Sequence, residues 1–229
     1  MPADRSSARP ALVAVAHGTS NPSGRQVVRD VVGQARALLP DVRVELAWLE
    51  HDAPTPQTVL DAVAGPVVLV PVLLSTGFHV KVDIARFVDG RPRAAAAAQL
   101  GPDERITEVV RQRLVAAGGR DASEVVLFAS GSTDSEAWDN LGVVANRLQA
   151  ATGSRVRRRF LTDPTWRAGL APGSAVANYL LAPGRFNDQL RRFGQDELGS
   201  AAVADPIGAH PAVAAVIVDR YEQAAAGIR

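Results

Sequence analysis

VAHGTSNPSG, residues 15–24, and LLSTGFHVKVDI, residues 73–84, each set a histidine just beyond a short apolar run. His17 follows ALVAVA (11–16). His79 follows PVVLVPVLL (66–74) and the turn Ser75-Thr76-Gly77. Apolar runs this short, stopped by a glycine-containing loop and followed by a helical pattern, read as strands buried in a parallel sheet. Open parallel sheets bind ligands outside the carboxyl ends of their strands. Two of the chain's four histidines therefore fall on one rim. An imidazole pair there can hold a divalent transition metal or accept protons near neutral pH. A histidine at a strand end can equally be a structural hydrogen-bonding group.

Outward from these two stretches, strands are predicted near 11–16, 43–48, 66–74 and 94–100, and helices near 23–39, 55–64, 78–89 and 103–117. Asn21-Pro22-Ser23 is a helix-start signal, with Ser23 as the expected cap. In the second half strands fall near 124–129, 155–161, 174–181 and 200–205, and helices near 134–151, 184–194 and 210–226. The alanine run 94–98 has helical propensity, but its counterpart in the second half contains Asp205-Pro206, so both are read as short strands. This alternation predicts an α/β fold of right-handed parallel units with helices on both faces.

The second half restates the first. VAVAHGTS (13–20) aligns with VVLFASGST (125–133), placing Ser130 opposite His17 and Gly131 opposite Gly18. VELAWLEHDAP (44–54) aligns with VRRRFLTDP (156–164), placing Thr162 opposite Glu50. LVPVLLSTGF aligns with ANYLLAPGR, so Gly184 meets Gly77 and Phe186 meets His79. Two similar lobes of roughly 110 residues follow, each expected to hold a parallel four-stranded sheet. The flexible-looking joint Gly118-Gly119-Arg120-Asp121 divides them into residues 1–119 and 120–229. The second lobe keeps its apolar strands and glycines but loses His17, Glu50 and His79 together. Framework residues would be needed twice; these three behave as one chemical set confined to the first lobe.

Composition narrows the function. The 229 residues can bury a sizeable core. The absence of cysteine removes disulfides, thiolate metal sites and a thiol nucleophile. No signal peptide is apparent and no stretch approaches the ~18 apolar residues of a membrane helix, so a cytoplasmic protein without membrane contact is expected. A net charge of +1 gives no basic field for nucleic acid. The local run Arg155–Arg159 reads as an exposed strand edge or a small-anion surface. Lys81, the chain's one lysine, lies two residues after His79.

Other chemistries fit poorly. A phosphohistidine phosphatase would have arginine before His17, where Ala16 stands. The segment Gly18–Gly24 lacks the Lys-Ser/Thr of a phosphate loop, and Pro22 removes a donor. Ser130 has no histidine partner in its own half, which argues against a serine hydrolase. His51, beside Glu50, reads as a solvated loop residue, and His210 as the start of the last helix.

His17-Gly18-Thr19, Trp48-Leu49-Glu50 and Gly77-Phe78-His79 with Asp83-Ile84 resemble the class II chelatases, and among them the long, two-lobed sirohydrochlorin chelatases of cobalt or iron type. The likeness covers nearly the whole chain. It departs where arginine commonly follows His-Gly-Ser (here Thr19-Ser20-Asn21) and where Ala85 replaces a proline. The resemblance implies insertion of Fe²⁺ or Co²⁺ into sirohydrochlorin for siroheme or cobalamin synthesis, with no cofactor beyond the substrate metal. It implies His17 and His79 as metal ligands and, with Glu50, as catalytic groups. Gly18, Thr19, Ser75, Thr76, Gly77, Lys81 and Arg86 are then expected to bind the substrate, whose eight carboxylates call for cations; Arg185, Arg191 and Arg192 are further rim candidates. A monomer with two pseudo-symmetric lobes is expected. A carrier that delivers metal or tetrapyrrole without turnover is the alternative.

Overall fold

A computed structural model describes residues 9–75 and 77–228, with the backbone alone for residues 78–81. Thr76 lies outside the described residues. The first half runs β1 (Ala11–Ala16), α1 (Pro22–Leu38), β2 (Val44–Trp48), α2 (Pro56–Ala62), β3 (Val67–Pro71), α3 (Phe78–Val88), β4 (Ala94–Ala96) and α4 (Glu104–Ala116). The second runs β5 (Glu124–Ala129), α5 (Ser135–Thr152), β6 (Arg155–Phe160), β7 (Ala175–Asn178), α6 (Arg185–Arg192), a π-helical turn Phe193–Glu197 and α7 (Pro211–Ala225).

Two parallel sheets result, ordered β2-β1-β3-β4 and β6-β5-β7. The second has three strands rather than the expected four. The segment foreseen as its outer strand survives as one parallel bridge, Val176 to Val203. There the Ser200 hydroxyl engages both backbone groups of Ala202, and Pro206 offers no N–H to a ladder. The expected cap of α1 also shifts. Pro22, which has no N–H to satisfy, opens the helix, and the Asn21 side chain accepts from Gly24 N at 3.1 Å.

Alternate residues of the strands face opposite layers. In β1, Ala11, Val13 and Val15 face α2 and α3, packing with Val59, Leu60 and Ile84. Leu12, Ala14 and Ala16 face inward, into a core shared with Val125, Leu127 and Ala129 of β5. On the outer face of the second sheet Phe128, Trp166 and Phe193 meet edge to face.

Helices α1, α4, α5 and α7 fill the space between the sheets, and two of them change sides. α7 packs on α1 and β3 of the first sheet, while α4 packs on α5 and β7 of the second. Arginines at corresponding positions secure the exchange. Arg113 donates to Ile207 O at 3.0 Å, and Arg220 to Gln99 O at 2.9 Å and Leu100 O at 3.3 Å. Both helices are capped alike: Asp103 accepts from Arg105 N, and His210 Nδ1 from Ala212 N, so His210 does start the last helix. The division at 119/120 thus falls between the sheets in sequence, but the core runs across it.

The basic run is absorbed by the fold. β6 is an edge strand, where Arg157 pairs with Glu124, Arg158 donates to Trp138 O and Arg159 to Ala168 O. A cationic edge discourages pairing with another chain. Among the described residues no helix is long and apolar enough to cross a membrane.

Candidate functional site

β1 lies between β2 and β3, so the loops leaving these three strands are neighbours on one rim. The ladder continues beyond the strands. Leu49 N donates to Ala16 O at 2.9 Å, Glu50 N to His17 O at 2.8 Å, and Val72 N to Val15 O at 2.8 Å. His17 and Glu50 are thereby fixed side by side, and the chain leading to Gly77 leaves next to them. The His17 Nδ1 stands 4.0 Å from Glu50 Oε2, and both side chains are more than half exposed.

Gly18 serves packing. Its φ is +103°, and a methyl group there would lie 1.8 Å from Glu50 O, a backbone clash that excludes every other residue. The corresponding residue of the second half, Gly131, has φ +119°, and its methyl group would strike Thr162 Oγ1 at 1.9 Å. Thr162 N donates to Ser130 O there, just as Glu50 N does to His17 O. The second rim therefore keeps the main-chain frame of the first without its titratable side chains.

The third loop ends at Gly77, the cap residue of α3, which offers no side-chain capping bond. His79 is the second residue of that helix and Lys81 the fourth; their side chains lie outside the described set. Ser75 is half-buried in the loop. Arg86 is 76% exposed and 3.7 Å from Asp83.

The two rims meet. A methyl group on Gly77 would lie 3.5 Å from Ser132 Oγ, and one on Gly184 would lie 3.6 Å from Thr19 Oγ1. Each half thus presents its glycine turn to the other's first loop. The buried pair Asn178–Asn187, 3.0 Å apart, ties α6 to β7 behind this contact. Arg185, exposed at the first turn of α6, lies over the Phe186 ring at 5.3 Å, whereas Arg191 is held by Asp205 and Arg192 reaches Asp188 O.

Sequence reasoning missed Arg25. Its Nη1 donates to Thr19 O at 2.9 Å and its Nε is 3.4 Å from Asp52 Oδ2, so one guanidinium joins the His17 loop to the Glu50 loop. Arg29 reaches the same carboxylate at 2.7 Å. Two arginines four apart face one way on a helix, and an acidic residue in the neighbouring loop was the available signal. His51 is exposed in the loop, as expected, with its Nε2 3.5 Å from Glu50 Oε2.

Chemically, neutral imidazoles at His17 and His79 could hold a divalent metal without the grip of thiolates. Among the described residues no three histidines, aspartates or glutamates converge as a metal site.

Residues 11–117 match the CbiX family. A sirohydrochlorin cobaltochelatase of Methanococcus maripaludis is 38% identical over 82 residues, covering 34% of this chain; the chain spans 57% of that relative's length. SirB from Bacillus subtilis, in a structure with Fe³⁺, superposes with a TM-score of 0.78 at 24% identity, covering 95% of this chain and 96% of that one. The sirohydrochlorin chelatase SirB from Bacillus subtilis subspecies spizizenii, in complex with cobalt, gives 0.76 at 22%, covering 94% of each.

The fold is the α/β fold of the SirB structures. Within it, residues 11–117, the stretch that carries His17, Glu50 and His79, are the part that matches the CbiX family model.

Proposed function

We propose that the protein is a sirohydrochlorin chelatase that inserts Fe²⁺ or Co²⁺ into the macrocycle. The observation that carries this reading is the rim at β1, β2 and β3, where His17 and Glu50 are locked together and the loop to His79 departs beside them. The CbiX match covers the half that holds all three.

On this reading residues 1–119 and 120–229 are two copies of one unit, and only the first does chemistry. The matched backbone bonds at Glu50 and Thr162, the reciprocal glycine contacts and the exchanged arginines support a duplication. A monomer in the cytoplasm is part of this reading, which the lack of cysteine fits.

His17 and His79 take the metal from water and release it to the ring. Two pyrrole N–H protons leave as the divalent ion enters, so charge balances without redox change. The imidazoles freed of metal, and Glu50, accept those protons. Thr19, Ser75, Thr76 and Gly77 are assigned to substrate binding, and Lys81, Arg86 and Arg185 to attracting the ring's carboxylates. Gly18 contributes by letting the first loop close on Glu50.

Incubating the full chain with sirohydrochlorin and Co²⁺ or Fe²⁺, and following the macrocycle's absorbance, tests the proposal. Many metallated rings per chain are expected. One or fewer would identify a carrier.

A further inference from the structure

We propose that Trp138, with Arg158 laid against it, is a docking platform for the flat, carboxylate-bearing macrocycle; this deepens the chelatase reading above and rests on it. Trp138 is 37% exposed, whereas the chain's other two tryptophans, Trp48 and Trp166, are buried. The Arg158 guanidinium carbon lies 4.1 Å from the centre of the indole. The Phe160 ring meets the same indole edge to face, with centroids 5.3 Å apart. These contacts fix the ring yet leave it partly open to water. A rigid aromatic surface in solvent gives a conjugated ring a stacking partner. The guanidinium beside it attracts carboxylates at that ring's edge.

Gly142 shows that the pairing is built. Helix interiors disfavour glycine, yet Gly142 stands one turn beyond Trp138 on α5. A methyl group there would lie 2.2 Å from Arg158 Nη1. The missing side chain is the gap through which the guanidinium reaches the indole, and the same Nη1 donates to Trp138 O.

The platform adjoins the turn that leads to His79. Ser132 Oγ, 3.5 Å from a methyl position on Gly77, accepts from Asp134 N at 3.0 Å. Asp134 in turn caps α5 by accepting from Glu136 N at 3.0 Å, and Trp138 lies in the first turn of that helix. From the other side of the same loop, a methyl group on Gly131 would lie 3.3 Å from Phe160 Cβ. Both rings are thus anchored to the one loop of the second half that meets Gly77.

The two halves use these positions differently. Arg25 and Trp138 are each the fourth residue of their helices, and Trp48 and Phe160 each end the strand beside them. In the first half the helix position ties two loops together through Thr19 O and Asp52. In the second half the corresponding loop is held without it, because Asp163 accepts from the N–H and hydroxyl of Thr165, both at 2.8 Å. Relieved of the tether, the position carries an exposed indole instead.

The test titrates metal-free sirohydrochlorin into the full chain, followed by the macrocycle's absorbance, with Co²⁺ insertion measured beside it. Trp138→Ala should raise both the dissociation constant and the KM for the macrocycle about tenfold, with a smaller effect on kcat. Trp138→Leu keeps an apolar contact with Phe160 and is the second variant should alanine fail to fold; the same rise is expected. Gly142→Ala, which pushes Arg158 aside and leaves the indole in place, should weaken binding less and make it less sensitive to salt. An unchanged dissociation constant in a folded Trp138 variant, or a loss confined to kcat, overturns the platform. An unmodified chain that binds the macrocycle but never turns it over sinks the chelatase reading, while the binding comparison still decides the platform. No binding by the unmodified chain overturns both.

Discussion

Glu50 donates its backbone N–H to the carbonyl of His17 at 2.8 Å, so the relation between these side chains is set by main-chain register and not by the 4.0 Å approach of their tips. Side-chain replacements at either position should therefore alter chemistry while sparing the fold.

His17→Ala and His79→Ala are each expected to lower metal insertion by about a hundredfold or more. His17 is over half exposed, and its removal should leave the thermal midpoint nearly unchanged. Absorbance assays beside thermal melts check both points; near wild-type rates in the two variants would refute the assignment.

The second rim should tolerate change. Ser130→Ala and Phe186→Leu are expected to leave turnover nearly intact. Phe186 packs on the outer core of the second sheet, so Phe186→Ala should cost about 1–3 kcal/mol, read by urea unfolding. A folded Ser130→Ala chain with greatly reduced turnover would mean that the second half takes part in the reaction.

Arg25→Met severs Thr19 O and Asp52 from the same guanidinium. The two site loops then lose their shared tether, and kcat should fall about tenfold through misalignment, with KM for the metal little changed. Arg25→Lys keeps the charge but cannot reach both partners with one planar group, so it should fall between.

Gly18→Ala forces a methyl group onto Glu50 O in a left-handed backbone and should cost at least about 1–3 kcal/mol. Gly131→Ala meets a side-chain hydroxyl, which can turn away, and should cost less. Paired denaturation curves compare them.

Asp103 gives the fold a pH dependence. Burial opposes its charge, but hydrogen bonds from the Arg105 side chain and N–H, with Arg220 nearby, hold its carboxyl below the usual value. A depressed native pKa contributes stability that is complete above the unfolded value of about 4 and is lost as pH falls through the native one. Asp103→Asn keeps the cap and removes the charge. It should lose about 1–2 kcal/mol at pH 7 and approach the wild type in stronger acid, as unfolding at a series of pH values will show.

Much of this was readable in advance because buried parallel strands are nearly pure apolar runs. Ala11–Ala16 and Val67–Pro71 announce themselves, and the strand ends put His17 and Glu50 on neighbouring loops. The fourth strand of the second sheet was misread because the two hydrogen bonds of the Ser200 hydroxyl and the N–H that Pro206 lacks leave no mark on hydropathy. The exchange of α4 and α7 was hidden for a different reason: an apolar helix face states that it will be covered, not by which sheet. The left-handed turn at His51 and the Arg25 tether depend on how loops meet in space, and neither leaves a periodic trace.

That exchange sets an order of events during synthesis. The sheet bearing the candidate site emerges first, yet its inner face waits for α7, which leaves the ribosome at the far end of the described chain. Chains grow from the N-terminus at about 5–20 residues per second, so the inner face of β3 waits seconds for α7 while the second sheet receives α4 from residues already made. The last-made half is thus the first able to finish, and the site-bearing half is the one exposed to aggregation or to a chaperone until the final helix docks.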